Sequence, residues 1–234
     1  MSLHSPVALP RLLDLLRRVP LQPGDRVLDL GCGEGDLLGA LCTGGVLGVG
    51  VDRDADRVAA AQAAFGGPAV TLHVGDVAEA GDFAGSGGYA LGVCLGATHA
   101  FGAGNVGLPA AIHALREQLR PGGWLLIGEG FRTGPIPAPY RLLLGEPSSI
   151  DRTLVEVVCA AEDAGVVCQH AVVASPAEWE AFEWAFWRRK QREAADQDRP
   201  ELRDAARTWR NGWLKWGRDT MGFVALLLQR PDAP

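Results

Sequence analysis

The sequence predicts an α/β fold: a doubly wound, mostly parallel sheet of seven strands, with an amino-terminal helix and a helical insertion between the last two strands. Two observations carry this. Short apolar segments alternate with helical segments, the pattern of βαβ units. Glycines follow several of the apolar segments, where strand-end turns bring the backbone close to a ligand. The chain holds 31 glycines in 234 residues, near twice the average usage of roughly 7%. With about 100–200 residues expected per domain, 1–234 reads as one decorated domain.

The elements follow in order. Val7 to Val19 carries Leu12, Leu13, Leu15, Leu16 and Val19 at amphipathic helical spacing. Turn residues Pro20 to Asp25 end it, and Arg26 to Leu30 is a short buried strand. Asp36 to Leu41 is helical, Val46 to Val51 a strand, Ala55 to Phe65 an alanine-rich helix and Val70 to Val74 a strand. Tyr89 to Leu95 is the fourth strand; a glycine-rich loop leads to a helix from Leu108 to Leu119. Arg120 to Gly123 is a turn before strand Trp124 to Glu129. Asp151 to Ala164 is a helix and Val166 to Val173 a strand. Ser175, Pro176 and Glu178 form a helix start, with Ser as N-cap, Pro at the first helical position and Glu at the third. That helix runs to about residue 195, a second from Pro200 to about Trp216, and Met221 to Gln229 closes as an apolar strand.

Composition excludes several classes. Acids outnumber bases 28 to 22, a net charge of −6, which argues against a nucleic-acid partner because such affinity rests on neutralising phosphates. The five cysteines are odd in number and include no C-x-x-C pair, so neither a disulfide framework nor a zinc ribbon is expected, and no metal ligands are assigned. Asp14, Arg17 and Arg18 interrupt the early leucines, so no signal peptide is read. No apolar run reaches the roughly 18 residues of a membrane span. The expectation is a cytoplasmic protein, monomeric or homodimeric, with no membrane partner.

The chemistry centres on Val27-Leu-Asp-Leu-Gly-Cys-Gly-Glu-Gly35. A strand ends there in a glycine turn, and Asp52 ends the next strand about 20 residues on, where a ribose-binding acid is expected. A dinucleotide fold would place its third glycine for helix packing, but position 36 is aspartate. Asp29 stands before the turn, and a carboxylate suits a cationic ligand better than a pyrophosphate. The segment resembles the first motif of the class I S-adenosylmethionine (SAM)-dependent methyltransferases. The resemblance covers about residues 20–132, the SAM-binding core. Gly48-Val-Gly-Val-Asp52 resembles the second motif, Val74-Gly-Asp-Val77 the adenine turn, and Leu119-Arg-Pro-Gly-Gly-Trp-Leu-Leu-Ile127 the family's turn and strand.

The resemblance implies SAM as cofactor and S-adenosylhomocysteine as product. It assigns Asp29, Gly31, Cys32 and Gly33 to the methionine part, Asp52 to the ribose, and Arg53, Asp76 and Val77 to the adenine. Cys94 and Leu95 would offer backbone carbonyls to the methionine amine, with core packing the other reading of Cys94. The loop Leu95 to Gly102 lacks the signatures of enzymes that methylate nucleobases, which points to a small-molecule acceptor. A silent SAM-binding protein and a nucleic-acid or protein methyltransferase are the alternatives.

Catalytic candidates are His99, as a general base or as a residue holding the glycine loop, and Glu129 at the end of strand five. Six of the seven tryptophans fall within residues 176–216, the insertion that leaves the sheet over the ligand crevice. Trp209, Trp213 and Trp216 have the spacing of one helix face, as do Trp179, Phe182 and Phe186. The insertion is expected as a lid, with 133–150 as a second rim segment. Tyr140, Trp184 and Trp213, with His99, are the substrate-binding candidates. The other reading is that these aromatics pack the helices together.

Overall fold

All seven expected strands form one sheet in the computed structural model, which describes residues 5–79, 88–145, 149–196 and 198–232. They are β1 (Arg26–Leu30), β2 (Leu47–Asp52), β3 (Val70–Val74), β4 (Tyr89–Leu95), β5 (Leu119–Arg132), β6 (Val167–Val173) and β7 (Met221–Gln229). Their spatial order is β3-β2-β1-β4-β5-β7-β6. The first five pair in parallel, and β7 lies antiparallel between β5 and β6. The order reverses between β1 and β4, so a crevice opens beyond the carboxyl ends of those two strands.

Side chains alternate across the sheet and sort into two cores. Val224, Leu226 and Leu228 of β7 join one cluster, while Ala225 and Leu227 join the other. The first is covered by α4 (Gly107–Gln118), through Leu108, Ile112 and Leu115, and by α6 (Leu154–Asp163), through Val157 and Ala161. The second is covered by α1 (Leu9–Leu16), through Leu12, Leu15 and Leu16, and by α2 (Asp36–Leu41), through Leu37 and Leu38. α3 (Ala55–Phe65) lies between β2 and β3, capped by Asp54, whose carboxylate accepts from the amides of Asp56 and Arg57.

Several boundaries shift for local reasons. Leu119 belongs to β5, because it already pairs with Tyr89; the turn expected at 120–123 is an excursion before Trp124 resumes pairing with Leu91. α6 starts at Leu154, set by a capping box of Thr153 and Glu156. The segment 133–150 is partly helical, with α5 at Ala138–Leu144; its residues 146–148 lie outside the described residues.

The insertion holds α7 (Pro176–Asp196) and α8 (Pro200–Gly212), followed by a π turn at Trp213–Gly217 and a short α9 (Arg218–Thr220). Residue 197 lies outside the described residues. The expected Ser175–Glu178 start is present: Glu178 N–H donates to Ser175 Oγ at 3.3 Å, and the Ser175 amide donates back to the Glu178 carboxylate at 2.8 Å. The same carboxylate accepts from the Ala8 amide at 3.0 Å and from the Arg11 guanidinium. Burial opposes its ionisation, but these bonds win and hold it down to about 2. Glu178 thereby ties the start of α7 to the start of α1.

Candidate active site

The glycine turn is built by backbone geometry and one carboxylate. Gly31 has φ +83°, and a Cβ there would stand 2.5 Å from the Ala97 Cβ. Only glycine lets the end of β1 lie this close to the loop after β4. Asp52, at the end of β2, accepts from the Gly33 amide at 2.8 Å and from the Asp54 amide at 2.9 Å. It fixes the turn and keeps a lone pair on each oxygen for a further donor.

These elements surround a cavity of about 410 Å³, within the usual range of roughly 300–1,000 Å³ for ligand sites. Asp29, Gly31, Cys32, Gly33, Asp52 and Arg53 all line it, with Asp76, Val77, Leu95 and His99 farther along. Asp76 accepts from the Ala78 amide at 2.9 Å, which shapes the turn after β3. The Asp29 carboxyl is 4% exposed, and burial, reinforced by the negative charge of Asp52, pushes it up to about 7. An arriving cation would restore its ionised form. The Cys32 thiol is also pushed far up by burial, so it is a neutral wall group.

Two expected residues lie outside the cavity lining. Cys94 is fully buried, its thiol pushed up by burial and by the charge of Asp29, so its side chain packs the core. Glu129 is 3% exposed and accepts from the Thr98 hydroxyl at 2.6 Å. It anchors the turn that presents His99, an exposed side chain at the cavity edge.

The insertion does reach the cavity, but through other residues than expected. Phe182, Phe186 and Arg189 of α7 line it, at the i, i+4, i+7 spacing of one helix face. Tyr140, Trp184 and Trp213 do not. Tyr140 is fully buried, with its hydroxyl 3.0 Å from Met221 Sδ and its ring 6.0 Å from Trp216. Gly217 makes room for it: a Cβ there would stand 2.4 Å from the Tyr140 oxygen. Trp184 stacks edge-on against Trp187, and both join Glu183, Trp209, Arg210 and Trp213 around a separate, much smaller cavity between the lid helices. Trp213 is 2% exposed. The π turn widens the helix by one residue per turn, so the stripe expected at 3.6 residues per turn breaks up. Trp209 keeps to Glu183 and Phe186, while Trp216 turns onto Tyr140. Among the described residues, none from 133–150 lines the main cavity.

Sequence reasoning missed Arg57, Glu34 and Arg189 as cavity residues. The signal for Arg189 was present, since it continues the Phe182–Phe186 stripe. The tryptophans masked it by promising more contact area.

A seven-stranded sheet with β7 inserted antiparallel, and a glycine turn backed by acids at the ends of β1 and β2, defines a nucleoside-binding methyltransferase fold. Residues 27–123 match the family described as a methyltransferase domain. The chain belongs to the class I SAM-dependent methyltransferases. It is similar to the uncharacterized protein YjhP of Escherichia coli K12, at 30% identity over 192 residues, covering 79% of this chain and 75% of that protein. Among solved structures it resembles a SAM-dependent methyltransferase from Geobacter sulfurreducens in complex with S-adenosylhomocysteine. That likeness has a TM-score of 0.84 at 26% identity and covers 97% of this chain and 93% of the other. A Thiobacillus denitrificans methyltransferase, also in complex with S-adenosylhomocysteine, shares the fold, with a TM-score of 0.80 at 23% identity over 97% and 93% of the two chains. No helix among the described residues is long and apolar enough to cross a membrane.

Proposed function

We propose that this methyltransferase acts on a small-molecule acceptor admitted beneath α7. The chain is read as one domain, 1–234, in which 20–132 holds the cofactor and 176–216 is the lid. The supporting observation is the roof of the cavity. Phe182 and Phe186 face the same space as His99 and Leu95, so the acceptor end is a walled crevice and not an extended groove. The net charge of −6 gives no general attraction for a polyanion.

The cavity residues fit SAM. Asp29 is a buried acid without a neighbouring cation among the charges that shift it, which suits the methionine amine. Gly31, Cys32 and Gly33 let the methionine part lie close to backbone. Asp52 offers its remaining lone pairs to the ribose hydroxyls, and Arg53, Asp76 and Val77 flank the adenine end. Leu95 contributes backbone at the reacting end; Cys94 supports it from behind. SAM supplies an activated sulfonium methyl, transferred in line to leave S-adenosylhomocysteine. The protein contributes proximity, orientation and exclusion of water.

His99 is the residue to accept the acceptor's proton, and Glu129 is its positioning residue through Thr98. His99→Ala is expected to slow turnover about a hundredfold with little change in SAM affinity. Turnover unchanged across pH would leave His99 a loop-holding residue. The function itself is tested by incubating the protein with SAM labelled in its methyl group and a cell extract. Label is expected in the low-molecular-mass fraction; label confined to protein or RNA would overturn the small-molecule reading.

A further inference from the structure

The cavity has two guanidiniums on one wall, brought there by elements far apart in the chain. Arg57 extends from the first turn of α3 and Arg189 from the middle of α7. Arg57 Nη1 lies 3.8 Å from where a Cβ on Gly33 would stand, so it reaches over the glycine turn. Neither is a freely solvated surface group: their side chains are 31% and 27% exposed. They lie near enough for their charges to act on each other. Burial, and then the charge of Arg57, lower the hold of Arg189 on its proton.

The acids around them offset this charge loosely. Arg57 lies 3.4 Å from Asp54, whose other oxygen caps α3. Arg189 lies 3.7 Å from Glu193, which makes a closer pair of 2.7 Å with Lys190. Glu34 acts on Arg189 from the cavity wall, and Arg192 adds a further positive charge. A close guanidinium–carboxylate pair sits at about 2.7–2.9 Å, so both arginines retain capacity for a tighter partner. Two planar donors facing one cavity match the two oxygens of a carboxylate.

We propose that Arg57 and Arg189 form a clamp for a ligand carboxylate, one that draws lid helix α7 onto the cofactor turn when it is filled. The inference rests on the reading of this cavity as the cofactor site. Two sources can supply the group: the amino-acid carboxylate of SAM, or an acid group on the acceptor.

Calorimetry on the full chain separates them. S-adenosylhomocysteine and 5′-methylthioadenosine, which lacks the amino-acid part, are titrated into the unsubstituted protein, Arg189→Gln and Arg57→Gln. If the cofactor fills the clamp, each variant binds S-adenosylhomocysteine about ten- to a hundredfold more weakly and binds methylthioadenosine as before. If the acceptor fills it, S-adenosylhomocysteine affinity is unchanged, and benzoate binds the S-adenosylhomocysteine-loaded protein but not the loaded variants. Equal losses for both nucleosides, or no loss in either arm, would overturn the clamp. Failure of the unsubstituted protein to bind either nucleoside would break the cofactor reading itself and take the clamp with it.

Discussion

The cofactor turn and the helical lid each bury one carboxylate, and the two are held in different ways. Asp29 sits behind the glycine turn, where burial and the charge of Asp52 push it up to about 7. Glu183 sits among the lid tryptophans, where burial likewise raises it to about 7, opposed by the Trp209 indole N–H at 3.2 Å. The lid acid has its donor built in, while the turn acid is surrounded by negative charge and wants a cation from outside. A destabilised group at a site and a satisfied group in a scaffold have similar acidity for different reasons. The difference separates the ligand-binding region from the supporting one.

The largest expected effect breaks the first member of this pair. Asp29 ionises at 3.8 when unfolded and at about 7 when folded. The folded state therefore binds the extra proton, and stability falls as pH rises from about 4 to about 7, then levels off. Asp29→Asn removes the buried charge without changing shape. At pH 8 it is expected to raise unfolding free energy by on the order of 2–4 kcal/mol. It should also weaken SAM binding by about a hundredfold, since the amine loses its counter-charge. Denaturant melts across pH, with calorimetry, read both. A variant that gained stability and kept its SAM affinity would dissociate Asp29 from the ligand.

Glu183→Gln sharpens the contrast. It too removes a buried charge, and its amide oxygen can still accept from Trp209. The acid ionises at 4.5 unfolded and about 7 folded, so its contribution also declines between those pH values. The substitution should stabilise the protein at pH 8 by about 1–3 kcal/mol. SAM affinity should stay as it was, because Glu183 faces the small cavity between the lid helices. Loss of SAM binding in this variant would merge the two regions.

The two regions also differ in how far they could be read from sequence. The sheet, its order and its glycine turn were legible because period-two burial and strand-end glycines are local signals. Asp29, Asp52, Asp76 and Leu95 fell where the motif placed them. The lid was legible as helices, not as surfaces. A tryptophan stripe does not say which partner it meets, and the π turn at 213–217 rotates Trp216 off the expected face onto Tyr140. Glu129 and Cys94 end the right strands, yet their side chains point into bonds and core that no strand pattern encodes.

A third effect tests how the lid is seated. The Glu178 carboxylate is held down to about 2 by Ser175, Ala8 and Arg11. A depressed acid adds stability above its unfolded value near 4.5, lost as pH falls towards 2. Glu178→Gln is expected to cost about 2 kcal/mol at pH 7 and little at pH 2. Faster hydrogen exchange at the start of α7, with β1 and β2 unchanged, would show that the lid loosens alone. Uniform loosening would mean that lid and sheet open together.

The smallest effect probes the built-in partner of Glu183. Trp209→Phe keeps a ring against Phe186, now 6.2 Å away, and removes only the indole donor. Glu183 should then ionise at a still higher pH, because the lost bond favoured its charged form. Above that pH the substitution leaves a buried carboxylate without this donor, so its cost should be about 1–3 kcal/mol. At pH 5 the acid is protonated in both proteins, and the cost should shrink to the ring's packing difference. A cost independent of pH would assign Trp209 to packing alone. The lid acid would then be destabilised like Asp29, and the distinction between the two regions would fail at its weaker end.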